Sequence, residues 1–264
     1  MPAQTHEHVV ITGASGGLGA ALARHYAGNG AMVSLIARNT AALEKLEGEF
    51  PGRCSYHAAD VRDSTAMRGA ADAFAKRCGL PDIVIANAGV SIGTLTELAE
   101  DEQAFRDVFD INVIGMINTF QPYIASMRKR GRGVLVGIAS VAGYRGLPGS
   151  GAYSASKAAV ISYLESLRVE LRNSGITVIT VCPGYVVTAM TAHNPYRMPF
   201  IMTAETAAVK IAGIIDRRKV YAVIPWQMAI VARLMHVLPR VVYDRLAAKS
   251  GRKPRREQPP EAAG

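Results

Sequence analysis

The stretch HVVITGASGGLGA, residues 8–20, joins a short apolar run to a glycine-rich turn and then to an alanine-rich sequence. The apolar run is typical of a buried strand, and the sequence after Gly19 is typical of a helix. Glycines let the backbone approach a phosphate closely, and the positive end of a helix stabilises its charge. Many glycine-rich turns are only turns, but this position between strand and helix predicts a nucleotide-binding site.

Further Val- and Ile-rich runs follow along the chain and alternate with amphipathic stretches. The runs are 32–37, 82–86, 133–140, 176–181 and 219–224. The helical patterns are 17–29, 40–47, 64–78, 101–129 and 152–173. This alternation predicts an α/β fold with a single Rossmann-type domain, in which helices cover both faces of a doubly wound parallel sheet. Ligands of such sheets bind beyond the carboxyl ends of the strands.

The composition indicates one packed domain. The chain has 264 residues, of which 49% are hydrophobic and 19% are charged. Its three cysteines, Cys54, Cys78 and Cys182, are widely spaced, which argues against disulfides and zinc ribbons and favours a reducing cytoplasm. The first residues do not resemble a signal peptide, and no apolar run is long enough for a membrane span. His6 and His8 lack a third ligand, so no metal site is predicted.

The positive charge is concentrated near the C-terminus. The formal net charge is +9, and residues 217–264 contain eleven Lys or Arg against three Asp or Glu. This distribution predicts a local electrostatic feature rather than a nucleic-acid-binding protein. The RKPRR sequence at 252–256 has no interleaved aromatic residues, and we expect residues 251–264 to form a basic, disordered tail.

Tyr153 and Lys157 lie one helical turn apart in SGAYSASKAAVISYLESL, residues 150–167. They therefore project from the same face of the predicted helix. Such a pair also occurs by chance on ordinary helices, so the rest of the chain decides its meaning. An ammonium about 4 Å from the phenol, at an effective dielectric constant of roughly 20, favours the phenolate by about 4 kcal/mol, or about 3 pKa units. We therefore expect the pKa of Tyr153 to fall towards neutrality.

Seven short motifs occur in a fixed order relative to the predicted strands. They are the T-G-x-x-x-G-x-G turn, Asp60-Val61, Asn87-Ala88-Gly89, Asn112, Ser140, the Tyr153/Lys157 pair, and Pro183-Gly184 with Thr188. In these features the chain resembles the short-chain dehydrogenase/reductase family, of the classical type, over nearly its whole length. The family often has Asn at position 86, where this chain has Ala.

The resemblance implies a catalytic group and a cofactor site. The catalytic residues would be Ser140, Tyr153, Lys157 and Asn112, with Ser140 bonding the substrate oxygen, Lys157 holding the nicotinamide ribose and Asn112 positioning a water. The cofactor site would comprise Gly13, Ser15, Gly16, Gly17, Leu18, Gly19, Arg38, Asn39, Asp60, Val61, Asn87, Ala88, Gly89, Tyr153, Lys157, Pro183, Gly184, Val186 and Thr188.

The end of the second strand indicates which nicotinamide cofactor is bound. An acidic residue there holds the ribose 2′-hydroxyl of NAD, whereas a basic residue accommodates the 2′-phosphate of NADP. This strand ends in Arg38 and Asn39 without an acid, and Ser15 in the glycine turn adds a hydroxyl. We therefore expect NADP(H), with an Arg38 that merely faces solvent as the alternative.

The C-terminal third is expected to determine the substrate. Residues 185–203, the predicted lid, contain Met190 and other flexible apolar side chains, which suit a bulky or lipid-like substrate or pack the lid itself. Tyr144 and Arg145 follow Ser140 and are expected near the pocket, whereas His193 has no evident partner. Residues 226–248 predict amphipathic helices that cover the pocket, pack against a second subunit or lie on an anionic membrane. This ending resembles family members that act on steroids and other lipids.

Three functions are compatible with these features. The first is an NADP(H)-dependent oxidoreductase that interconverts a ketone and a secondary alcohol in an apolar substrate, as a carbonyl reductase. The second is a reductase of 3-oxoacyl groups whose basic C-terminus receives an acidic carrier protein. The third, a non-catalytic NADP-binding sensor, would not need Ser140, Tyr153 and Lys157 together. We expect a cytoplasmic homodimer or homotetramer, paired through 101–129 and 152–173, with no nucleic-acid partner and with contact at a membrane surface as an option.

Overall fold

The computed structural model describes residues 8–192, 194–248 and 251–255. Seven parallel strands form one sheet in the order β3-β2-β1-β4-β5-β6-β7. The strands are β1 (His8–Thr12), β2 (Met32–Ala37), β3 (Cys54–Ala58), β4 (Ile83–Ala86), β5 (Gly133–Ile138), β6 (Ile176–Pro183) and β7 (Tyr221–Ile224). The strand order reverses direction between β1 and β4, which opens a crevice at their carboxyl ends. The predicted fold class is confirmed.

Ten α-helices connect or follow the strands in the described ranges. They are α1 (Gly17–Gly28), α2 (Thr40–Glu49), α3 (Ser64–Cys78), α4 (Glu102–Phe109), α5 (Gly115–Arg130), α6 (Gly151–Glu170), α7 (Ala189–Ala192), α8 (Ala204–Asp216), α9 (Trp226–Val237) and α10 (Arg240–Ala247). Asn39, Asp63 and Thr203 cap the amino ends of α2, α3 and α8 with side-chain oxygens. These caps explain why the three helices begin where they do.

Two hydrophobic layers cover the faces of the sheet. Leu22 of α1, Leu43 of α2 and Ile211 of α8 belong to one layer. Side chains of α3, α5 and α6, including Phe120 and Leu164, form the other. Both faces of the inner strands are therefore buried, which is why their sequences are continuously apolar.

The expected helix at 101–129 is interrupted. A π-helical turn, Asp110–Ile114, separates α4 from α5. It contains Asn112, whose side chain bonds to Val90 and Ser156 outside its own helix. The prediction of one continuous helix was wrong, because hydrophobic periodicity does not report an extra residue in a helical turn.

The α9 and α10 helices leave an apolar face exposed. Trp226, Leu234 and Val237 are 68%, 58% and 73% exposed, whereas Met228 and Ala232 are buried. In the described chain no residue of either helix lines the main cleft, so they do not cover the pocket. Contact with a second subunit and contact with a membrane surface both stay predictions. None of the helices in the described ranges combines the length and hydropathy needed to cross a membrane.

The C-terminus differs from the predicted tail. Residues 251–255 pack against the body of the protein, and Arg255 binds Asp101 while the Pro254 carbonyl accepts a bond from the Gly93 amide. The expectation of a disordered, solvated segment was wrong for these five residues. The sequence around them does not indicate their partners, because Asp101, which binds Arg255, lies 154 positions earlier in the chain. The remainder of the predicted tail lies outside the described residues.

His8 at the start of β1 has a structural role. Its Nδ1 lies 3.0 Å from the Gly79 carbonyl oxygen and its Nε2 lies 2.8 Å from the Ser34 hydroxyl. A neutral imidazole that donates through Nδ1 and accepts through Nε2 satisfies both of these contacts. No metal-binding cluster of His, Cys, Asp or Glu occurs among the described residues, and His6 lies outside them.

We predict that His8 makes the protein less stable in mild acid. Burial lowers the pKa of His8 below its usual 6.5, so below about pH 6.5 the unfolded chain binds the extra proton more readily than the folded chain. Its destabilising contribution is absent above that pH and grows as the pH falls towards the folded-state pKa. Thermal unfolding between pH 7.5 and 5 should therefore show a smaller loss of Tm for His8→Gln than for the wild type.

The control is His25→Gln, at a partly exposed histidine in the last turn of α1. It measures the change in pH dependence of Tm that replacing a less buried histidine causes, and the change in His8→Gln should be larger. An unchanged slope in His8→Gln would contradict the assignment of a buried neutral imidazole.

Candidate active site

A cleft of about 500 Å³ lies at the carboxyl edge of the sheet. It receives nearly all of the residues that the sequence predicts for the cofactor and catalytic groups. These are Gly13, Ser15, Gly16, Gly17, Leu18, Arg38, Asn39, Asp60, Val61, Asn87, Ala88, Gly89, Ser140, Tyr153, Lys157, Pro183, Gly184, Val186, Thr188 and Met190. Gly19, Asn112 and Tyr144 are not among the lining residues.

The glycine turn forms one wall of the cleft. Gly13 has a φ of +68° and Gly17 a φ of +52°, and both conformations favour glycine. A Cβ on Gly17 would lie 2.9 Å from the Thr188 methyl carbon, and a Cβ on Gly19 would clash with the Gly13 carbonyl oxygen. Gly19 therefore acts beneath the turn, through close packing, rather than at the cleft surface.

The start of α1 provides the features of a phosphate cradle. Its amino-terminal cap is Gly16, which has no side chain to occupy the first backbone amides of the helix. A Cβ on Gly16 would meet no atom within 4 Å, so its outer side is open. Free amides, the helix dipole and an open approach together fit the diphosphate of a dinucleotide.

Thr12 and Asn87 join the ends of β1 and β4. The Thr12 hydroxyl accepts bonds from the backbone amides of Asn87 and Ala88 at 3.2 and 3.3 Å. The Asn87 side-chain amide donates to the Thr12 carbonyl at 3.0 Å. These bonds fix the segment after β4 against the glycine turn at the point where the strand order reverses.

Asn112 positions the neighbouring loop. It is fully buried, its Oδ1 accepts from the Val90 amide at 2.8 Å, and its Nδ2 donates to the Val90 carbonyl and the Ser156 hydroxyl, each at 3.0 Å. The side-chain oxygen and nitrogen are therefore both engaged by protein atoms. The structure places Asn112 behind the cleft, where it ties the loop to α6, and not at the cleft surface.

Ser140, Tyr153 and Lys157 meet at the centre of the cleft. Ser140 follows β5, and its Oγ accepts from the Ala142 amide at 3.1 Å, which leaves the hydroxyl proton available to another acceptor. Tyr153 and Lys157 lie on α6, as the sequence predicts. The Lys157 ammonium donates to the Ile138 carbonyl at 2.8 Å and lies 5.9 Å from the centre of the Tyr153 ring.

Burial controls the ionisation of this pair. Desolvation raises the pKa of Tyr153 above 10, although a hydrogen bond with Ser140 opposes the rise. Desolvation also lowers the pKa of Lys157 to about 8. The expected lowering of the phenol pKa by the ammonium was wrong for the chain alone, because the ammonium bonds a backbone carbonyl and desolvation raises the pKa of the phenol instead.

The end of β2 carries Arg38, whose positive charge is only weakly paired with an acidic side chain. The Arg38 side chain is 64% exposed at the cleft rim, and its closest acid is Asp60 at 3.8 Å. Asp60 is itself held by Arg62, which donates at 2.8 Å and lowers the pKa of the carboxyl group. Asn39 caps α2 by accepting from the Ala42 amide. Arg38 thus remains available to an anion at the rim.

Tyr144 and Arg145, which follow Ser140, turn away from the cleft. The Tyr144 hydroxyl lies 2.7 Å from that of Tyr221 on β7. Arg145 donates to the last carbonyls of α9, including that of Met235 at 3.0 Å, and lies 4.1 Å above the Tyr243 ring. The expectation that Tyr144 and Arg145 approach the pocket was wrong, because Tyr144 bonds to Tyr221 on β7 and Arg145 fastens the C-terminal helices.

Several cleft residues were missed by the sequence analysis. Their side chains or backbones line the part of the cleft next to the predicted lid. They include Leu147, Ser150, Tyr185, Asn194, Tyr196 and Lys253. Leu147 and Ser150 lie between Ser140 and Tyr153 in the sequence, and this position between two predicted catalytic residues was a signal that they line the cleft. Lys253 is brought in by the C-terminal segment, for which the sequence contains no local signal, and His193 lies outside the described residues.

Comparison with known proteins agrees with this site. A sequence model described as short chain dehydrogenase matches residues 7–197. The chain belongs to the short-chain dehydrogenase family. It is therefore an oxidoreductase, and the family uses a nicotinamide dinucleotide, which the glycine turn, the start of α1 and the cleft fit.

Two relatives match this chain over nearly the whole length of both sequences. An uncharacterised oxidoreductase of Myxococcus xanthus is 36% identical, over 94% of this chain and 99% of that protein. An uncharacterised oxidoreductase of Mycobacterium tuberculosis is 34% identical, over 92% and 98% respectively.

Solved structures show the same architecture. A short-chain dehydrogenase of Streptomyces avermitilis has a TM-score of 0.75 and 25% identity over 92% of this chain and 95% of its own. An alcohol dehydrogenase of the archaeon Thermococcus sibiricus, solved with 5-hydroxy-NADP, has a TM-score of 0.73 and 26% identity, over 83% and 95%.

Proposed function

We propose that the protein is an NADP(H)-dependent oxidoreductase that interconverts a ketone and a secondary alcohol on an apolar, lipid-like substrate, chiefly as a reductase. The observation that carries the proposal is the meeting of Ser140, Tyr153 and Lys157 in the cleft that also contains the glycine turn. One end of the cleft is suited to a dinucleotide, and the other end provides a proton donor and a hydroxyl.

The chain supplies the proton that reduction requires. When bound, the reduced nicotinamide supplies the hydride for the carbonyl carbon. Tyr153, whose pKa is raised by desolvation, donates its hydroxyl proton to the carbonyl oxygen as the alcohol forms. The Ser140 hydroxyl donates its one proton to the carbonyl oxygen and orients it, and the cationic Lys157 favours the transient phenolate electrostatically. Solvent then returns a proton to Tyr153.

The lid region supports an apolar substrate. Met190, Leu147 and the rings of Tyr185 and Tyr196 line the substrate end, and the two rings lie 6.4 Å apart. Flexible methionine and amphipathic tyrosine surfaces suit a variable hydrocarbon better than a sugar. The carrier-protein alternative loses part of its support, because Arg255 of the basic C-terminus is paired with acidic residues of the same chain.

We predict that Tyr153→Phe abolishes turnover and leaves NADPH binding intact. The substitution removes the proton donor, which contributes roughly a hundredfold or more to the rate, while the ring still fills its site. Ketones and alcohols of increasing chain length should be screened with the wild type first, followed by kcat/KM and the NADPH Kd for the variant.

Tyr163→Phe is the matched control, because Tyr163 lies on the same helix and outside the cleft lining. It should keep normal kcat/KM. Ordinary activity in Tyr153→Phe would refute the assigned proton donor.

We predict that Arg38→Ala weakens NADPH binding by roughly tenfold or more, since a charge-assisted contact with the 2′-phosphate is lost. Binding of NADH, which lacks that phosphate, should change little. Fluorescence titration of both cofactors measures the difference.

Arg106→Ala removes an equally exposed arginine, at 66% compared with 64% for Arg38, on α4. It should affect neither cofactor. Equal losses for NADPH and NADH in Arg38→Ala, or a wild type that prefers NADH, would contradict the cofactor assignment.

A further inference from the structure

The last described residues form a strap across the substrate end of the cleft. We call residues 251–255 the C-terminal strap. Its Pro254 carbonyl accepts a hydrogen bond from the Gly93 amide at 2.9 Å, and Arg255 pairs with Gly93 in a short parallel bridge. A Cβ on Gly93 would lie 2.6 Å from the Pro254 carbonyl oxygen and would clash with that of Lys253. Gly93 therefore permits the close approach of the strap.

An ion pair latches the end of the strap. Arg255 donates to both carboxylate oxygens of Asp101 at 2.8 to 3.0 Å and to Glu100 at 3.1 Å. The Asp101 side chain is only 8% exposed, and it also accepts from the Leu95 amide at 2.7 Å. The contact with Arg255 lowers the pKa of Asp101. A bidentate pair with a mostly buried carboxylate is more specific than an ordinary surface ion pair.

The strap also contacts the other loops around the substrate end. A Cβ on Gly149 would lie 2.9 Å from the Arg252 Cβ, and a Cβ on Gly251 would lie 2.7 Å from the Tyr196 Cβ. Gly149 belongs to the loop between Ser140 and Tyr153, and Tyr196 belongs to the lid. The strap thus joins three segments that surround the space in front of the catalytic tyrosine.

Lys253 projects from the strap into the cleft lining. Its ammonium donates to the Met190 carbonyl at 3.2 Å. Among the described residues, no acidic side chain forms a salt bridge with it, whereas the neighbouring Arg255 has two such partners. Burial lowers the pKa of Lys253 from its usual value. A partly desolvated cation without a counter-charge is costly, and an anionic ligand group removes that cost.

We propose that the C-terminal strap completes the substrate site and that the Lys253 ammonium binds an anionic group, such as a carboxylate, carried by the ketone substrate. The proposal rests on the proposed function and sharpens its substrate class. The substrate is then an amphipathic oxo-acid, with an apolar body against the lid, a carbonyl at Tyr153 and an anion at Lys253.

The position of Lys253 favours the substrate over the cofactor as the source of the anion. The strap contacts Gly93, Gly149 and Tyr196. Gly93 belongs to the loop after β4, Gly149 to the loop before α6, and Tyr196 to the lid. These contacts of the described strap residues do not include the glycine turn. An anion from the cofactor diphosphate is the competing source, and the binding measurements below separate the two.

The test compares oxo-carboxylic acids of increasing chain length with the methyl esters of the same acids. Calorimetry gives the Kd of each compound for protein saturated with NADP⁺, which cannot reduce the ketone, so binding is measured whether or not turnover occurs. We expect the wild type to bind the best acid about tenfold or more tightly than its ester. Lys253→Gln should weaken binding of the acid by a similar factor and leave the ester and the NADPH Kd unchanged.

Three further variants make the result specific. Lys253→Arg keeps the charge and should retain most of the acid preference. Arg245→Gln removes an exposed charge on α10, outside both the strap and the cleft lining, and should change nothing. Arg255→Gln removes the ion pairs with Glu100 and Asp101 that hold the strap in place, and it should reduce the preference for the acid without altering the NADPH Kd. With reducible compounds, these effects should appear in KM rather than in kcat.

Equal binding of acid and ester by the wild type would overturn the proposal, as would equal losses for both in Lys253→Gln. A weakened NADPH Kd in Lys253→Gln would assign the lysine to the cofactor instead. Failure of the proposed function has a different signature, which is the absence of NADPH-dependent turnover of any ketone by a wild type that still discriminates acid from ester in binding.

Discussion

Desolvation of two side chains one helical turn apart is the constraint on which the chemistry of the cleft depends. Tyr153 lines the cleft, where desolvation raises the pKa of its phenol, while Lys157 is buried and desolvation lowers the pKa of its ammonium. The phenol is thus a proton donor at neutral pH, and the ammonium is a cation with a pKa of about 8. The sequence argument had the ammonium lowering the phenol pKa, and the structure shows desolvation to be the larger effect.

The sheet makes this desolvation possible. Parallel strands covered on both faces end at one edge, where bonds between Thr12 and Asn87 join the ends of β1 and β4. The glycine turn forms one wall there because Gly13, Gly17 and Gly19 accept backbone conformations and contacts that a side chain would obstruct. Asn112 fixes the loop behind the cleft from a π-helical turn. Each feature supports the placement of α6 and its two reactive side chains.

The sequence predicted features that depend on neighbours along the chain and missed those that depend on distant partners. Six strands follow from continuous apolar runs, whereas the β3 strand, with the edge sequence CSYHA, has no such run. The placement of Tyr153 and Lys157 follows from helical spacing. The break at Asp110–Ile114, the turning away of Tyr144 and the docking of Arg255 on Asp101 depend on contacts with residues 22 to 154 positions away. No local pattern reports such contacts.

The ionisation of Tyr153 is the most direct test of the account. Tyrosine labelled with ¹³C at Cζ reports phenol and phenolate separately by NMR, and the signal absent from Tyr153→Phe identifies this residue. The account predicts that Tyr153 in the cofactor-free protein remains a neutral phenol throughout a titration from pH 6 to pH 10. A phenolate signal that appears near neutral pH would contradict it, because the ammonium would then outweigh desolvation.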